Sequence, residues 1–144
     1  MAVPAAISRA FTVYLEAMDE ARKGRRRIDG LLGLGGGAGS ERCQDDFVSQ
    51  LNAAVADFAA EGPSSAEAAE ALRFVLAQAH EHRKSKEAYW MLLASHTLAL
   101  PLIDLLEPAD ARAMLEYYEA EYPKRERLPA QKTAIKRLAE RAKS

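Results

Sequence analysis

Four side chains of this chain have the chemistry of ligands, bases or nucleophiles near neutral pH: His80, His82, His96 and Cys43. Their spacing decides what they can do. His80 and His82 are two residues apart, so on a helix they point in different directions. No glutamate stands three residues before any histidine, which removes the E-x-x-H pattern of di-iron bundles, and no H-E-x-x-H occurs for a zinc protease. The pair reads as solvated residues at a helix end, where a cation complements the dipole. His96 falls in the most apolar stretch, with Trp90 before it and Pro101 after it. A hydrogen-bonded core histidine is the plain reading; an enzyme or ligand site around Trp90 and His96 is the sharper one. Cys43 lies on an apolar helical stripe and reads as a buried thiol, although a helix N-terminus nearby would favour a reactive thiolate.

Gly33, Gly35 and Ala38 match the letters of a dinucleotide-binding loop. A helix rather than a strand precedes them, and no Gly-Lys pair follows, so the run 33–39 reads as a flexible linker. G-x-S-x-G, S-x-x-K and C-x-x-C are all missing. Nothing in the chain calls for a cofactor or a metal.

Two basic clusters are suited to phosphates. One is Arg22, Lys23, Arg25, Arg26 and Arg27; the other runs over 124–143 and includes Lys136 and Arg137. Arg22, Arg25, Arg26, Lys136 and Arg137 are the candidate phosphate contacts. A third cluster, Tyr117, Tyr118 and Tyr122 with Arg125 beyond Pro123, has the composition of protein-interface centres.

Composition narrows the classes. Hydrophobic residues are 49% and charged residues 28% of 144, which is globular rather than disordered. The net charge of −1 is unevenly spread: residues 41–122 carry −9, residues 123–144 carry +6 and residues 1–32 carry +2. The plain account is that the basic end packs on the acidic middle of its own chain. The sequence pI near 6.3 is not that of a dedicated nucleic-acid binder. A lone cysteine forms no internal disulfide, and the N-terminus lacks a secretory pattern, so a cytoplasmic protein is expected.

The elements that would position these residues are all helical. Apolar side chains recur three and four apart at Ile7, Phe11, Tyr14 and Met18 in helix 1, and at Cys43, Phe47, Leu51, Ala54 and Phe58 in helix 2, with Val48 and Val55 flanking. Pro4 suits the first turn of helix 1, Ser40 the cap of helix 2, and Gly62 and Pro63 its end. Ser64 and Glu67 form a capping box for helix 3, whose face is Ala68, Leu72, Val75, Leu76 and Ala79. Helix 4, roughly 87–106, is apolar almost all round and is expected at the centre, kinked at Pro101. His96, Asp104 and Pro101 argue against a membrane span there. Helix 5 follows Pro108 with Ala111, Met114, Leu115 and Tyr118 inward; helix 6 follows Pro129 with Ile135, Leu138, Ala139 and Ala142 inward. The expectation is one domain over 1–144, an all-α bundle of five to six amphipathic helices around a central apolar helix.

Trp90, Leu93 and Ala94 resemble the first helix of a tetratricopeptide repeat, and Ala113, Tyr117 and Ala120 resemble its second. The halves lie further apart than in that repeat and no second copy follows, so the resemblance implies a helical hairpin only. The functional expectation is a non-enzymatic cytoplasmic module that binds protein, itself or another, without a membrane. The alternatives are a nucleic-acid-associated accessory protein using the basic clusters, and an enzyme or ligand binder near His96.

Overall fold

Helix 1 of the structure starts where the sequence places a proline. Pro4 precedes α1 (Ala5–Leu32), and its carbonyl accepts hydrogen bonds from the amides of Ile7 and Ser8. This computed structural model describes residues 3–32, 38–81, 95–121 and 129–143, with the backbone alone described at 21–32, 38–42 and 79–80. The described residues form helices and turns and contain no strand. After α1 come α2 (Ala38–Ala60), α3 (Ser65–Glu81), α4 (Leu100–Ile103), α5 (Pro108–Glu121) and α6 (Pro129–Lys143).

The turns obey local chemistry. Gly62 ends α2 with φ +68°, a backbone setting that L side chains resist, and its amide donates to the carbonyl of Ala59. The Ser64–Glu67 capping box is present: the Glu67 amide donates to Ser64 Oγ at 3.1 Å, and the Ser64 amide reaches Glu67 Oε1 at 3.5 Å. Ser40 was expected at the cap of α2 but stands inside it, because α2 already begins at Ala38. Cys43 is therefore beyond the first turn, where the pull of a helix N-terminus has faded.

The core is continuous. Ile7, Phe11, Tyr14 and Met18 from α1 are buried together with Phe47, Leu51, Val55 and Phe58 from α2 and Leu72, Val75 and Leu76 from α3. Aromatic rings join the three helices: Phe11 meets Phe47 edge-on at 5.2 Å and Phe74 at 5.7 Å, while Tyr14 lies tilted over Phe47 at 4.6 Å. Val48, expected beside the apolar stripe, is exposed instead, although it shares its side of the helix with the buried Val55 seven residues on.

The apolar segment expected to form helix 4 is only partly described, because residues 87–94 lie outside the described residues. Residues 95–98 are helical, Ala99 is a turn, and Pro101 occupies the second position of α4. There its missing amide and fixed φ fit the first turn of a new helix rather than kink an old one. The Leu102 amide donates to Ala99 three residues back, which tightens the chain at this break. Ala99, Leu102, Ile103 and Leu106 are fully buried, yet Thr97, Pro101 and Asp104 are exposed, so this stretch has a wet side.

α5 and α6 pack as a hairpin, and α4 touches α2, α3 and α6. In α6 the buried line is Gln131, Ala134, Leu138 and Ala142, while Ile135 and Ala139 are only half-buried. The expected set, Ile135, Leu138, Ala139 and Ala142, has the same spacing; the packed face is turned toward Gln131 and Ala134, so Leu138 and Ala142 are shared and Ile135 and Ala139 fall at its edge. No helix among the described residues is long and apolar enough to cross a membrane.

Candidate protein interface

The first apolar stripe of α1 faces the core, and a second beside it runs from the buried Ala10 out to the exposed Ala6 and Val13. Ala6, Ala10, Val13 and Ala17 repeat the same spacing beside Ile7, Phe11, Tyr14 and Met18. Against α2, which returns antiparallel, this second stripe opens a groove of about 500 Å³. Arg9 and Val13 line it from α1, and Gln50, Ala53, Ala54 and Asp57 from α2. Past Val13 and Gln50 it continues as a narrower cleft of about 50 Å³ reaching Ala17, Cys43 and Asp46. Val13 is 38% exposed; with Val48 it makes up the large hydrophobic side chains left in solvent among the described residues. Cys43, half-buried at the narrow end, lies at the edge of the core rather than inside it.

A second groove, about 240 Å³, lies between α3 and α5 and is lined by Ala66, Ala69, Glu70, Arg73, Asp110 and Met114. Tyr117 flanks this side. The Arg73 guanidinium sits over its ring, 4.8 Å from the centroid. Burial, the neighbouring Glu121 and the more distant Glu81 push the Tyr117 hydroxyl above its ordinary pKa, and Arg73 opposes them.

The tyrosine cluster read from the sequence divides in the structure. Tyr117 is half-exposed, whereas Tyr118 is fully buried and meets His96 edge-on, with ring centroids 5.7 Å apart. Tyr118 thus serves the core and offers no surface to a partner. Tyr122 and Arg125 lie outside the described residues. One residue on a helix turns the side chain through roughly 100°, which is why adjacent tyrosines part company.

His96 is fully buried beside Ser95 and lines none of the grooves named above. Trp90, its expected neighbour in a pocket, lies outside the described residues, as does His82. Among the described residues no group of His, Cys, Asp and Glu is placed to hold a metal ion.

Two basic residues of α6, Arg137 and Arg141, are drawn into the fold. Arg137 donates from Nε to Asp104 Oδ1 at 2.9 Å and from Nη2 to Oδ2 at 2.6 Å. Arg141 donates from Nε to the Leu106 carbonyl at 2.6 Å, closing the C-terminal end of the α4 turn. Arg112 of α5 returns the favour to α6, donating to the Ala142 carbonyl at 3.2 Å. The basic end of the chain does pack on its acidic middle at Asp104. Lys136 remains exposed, without Arg137 free beside it. The side chains of Arg22, Arg25 and Arg26 lie outside the described residues.

No protein-family model, curated protein or solved structure matches this chain. The second stripe of α1 was present in the sequence but easily passed over. Its alanines are small and match the first stripe in period, so they read as the edge of one wide apolar face.

Proposed function

We propose that this chain is a non-enzymatic, cytoplasmic protein-binding module, and that the face formed by α1 and α2 is its contact surface. The observation that carries the reading is the open apolar groove flanked by Arg9 and Asp57, with Val13 exposed where it narrows. A shallow groove floored by alanines suits a helix laid along it, because small side chains let backbones approach closely. The deep placement of His96 favours a structural part for it over a catalytic one. The bidentate hold of Asp104 on Arg137 weakens the case for α6 as a phosphate-binding face. The bundle envisaged keeps the apolar 87–106 segment as its middle, a placement supported by the complete burial of Ala99, Leu102 and Ile103.

The test is a photo-reactive benzoylphenylalanine placed at position 13 of the full chain and irradiated in its native cell, with the same group at exposed position 133 on α6 as control. The reading expects a protein adduct from position 13 that position 133 does not give. Adducts from neither position, or from both alike, would remove this face as the binding surface.

A further inference from the structure

α1 leaves two apolar side chains, Ala6 and Val13, exposed beside its buried face. Ile7, Phe11, Tyr14 and Met18 are buried in the core. Ala6, Ala10, Val13 and Ala17 sit roughly 100° further round the helix, next to that stripe; Ala10 is buried with the core, Ala17 is half-buried, and Ala6 and Val13 are exposed. This second stripe lines the open groove along α2.

The walls of that groove carry opposite charges. Arg9 stands on α1 and Asp57 on α2, both exposed. Neither enters an ion pair among the described residues. We infer that the α1–α2 groove is the contact surface of a homodimer, two copies facing each other about a two-fold axis that runs along the groove. α1 of each copy then lies over α2 of the other, and Arg9 meets the partner subunit's Asp57 twice over. This rests on the reading of the α1–α2 face as a protein-binding surface and names its occupant.

Self-complementarity selects a second copy over an unrelated protein. A two-fold interface brings one patch against itself, so every feature must tolerate its own image. A patch of one sign would repel its copy. An apolar centre with a cation on one wall and an anion on the other attracts it. The antiparallel run of α1 and α2 puts Arg9 near the height of Ala54, within a turn of Asp57. Further along, the same alignment sets the exposed Glu16 of α1 against the acidic Asp46 end of α2. Those like charges confine the contact to the wide half of the groove, so the dimer is small and reversible.

Sedimentation velocity of the full-length chain, from low micromolar to near-millimolar concentration, tests this. The wild-type chain is expected to pass from monomer to dimer as concentration rises. Arg9→Asp and Asp57→Arg, each of which sets like charges against each other, should weaken association by about tenfold. The double variant R9D/D57R restores the attraction with the signs exchanged and should return to within about threefold of wild type. Circular dichroism confirms that each variant keeps its helix content. A chain that stays monomeric throughout overturns the inference. So do single variants that dimerise like wild type, or a double variant no better than the singles. A monomeric chain that still forms an adduct with a different protein from position 13 overturns the dimer and leaves the binding surface standing; a monomeric chain with no adduct removes both.

Discussion

Arg137 grips Asp104 with two parallel hydrogen bonds, tying the outer side of α6 to the turn that follows α4. The pair is about half exposed, at 45% and 51% of the side chains, so water and salt screen it. Its importance lies in geometry more than in stability. It fixes which way the basic face of α6 turns and withdraws a guanidinium from any outside anion. The hydrogen bond from Arg137 holds the Asp104 carboxyl below its ordinary pKa, against the opposing effect of partial burial.

The sign of the pH dependence follows. Asp104 has a lower pKa folded than unfolded, so its contribution is complete above the unfolded value and is lost as pH falls below about 4. A carboxyl-carbon NMR titration should place Asp104 below a typical exposed aspartate. Arg137→Ala should raise that midpoint. An unchanged midpoint would show that the two side chains are not paired in solution.

Ser65 joins two helix starts. Its hydroxyl accepts the Glu107 amide at 2.7 Å and donates to the Asp110 carboxylate. Ser65→Ala should cost about 1–2 kcal/mol, because it frees an amide and a carboxylate from one shared partner. Ser64→Ala removes the more exposed capping hydroxyl and should cost about 1 kcal/mol. Urea unfolding of both variants tests the order; a larger loss at Ser64 would contradict it.

Gly62 separates backbone strain from steric clash. A Cβ built there meets no atom within 4 Å, so only the positive φ resists it. Gly62→Ala should therefore destabilise by about 1 kcal/mol, and Gly62→Asn by less, since asparagine tolerates the left-handed region. A loss several times larger would mean that the side chain clashes after all.

The core should respond far more strongly than the groove. Phe47→Ala removes a ring that touches both Phe11 and Tyr14 and should cost about 3–5 kcal/mol. Val13→Ala, at a position 38% exposed, should stay within about 0.5 kcal/mol. Thermal unfolding of the two variants checks the contrast. A heavy loss at Val13 would place that residue in the core and close the groove.

Much of this architecture was legible in the residue order. The three-and-four spacing of Ile7, Phe11, Tyr14 and Met18, the Ser64–Glu67 box and the Gly62 stop are local devices. Each depends on a few adjacent residues and on backbone geometry common to all chains, so one reading suffices. Tertiary contact decided the rest. Whether Tyr117 or Tyr118 met water, whether Arg137 was free for an anion, and which of Ala134 and Ile135 faced inward all depended on neighbours far along the chain. A helix offers every side chain an equal claim to a face by period alone, and only the helix packed against it settles which claim is honoured. The second stripe of α1 shows this most directly. Its alanines announce a helix from the sequence, but only the distance left open beside α2 turns them into a surface.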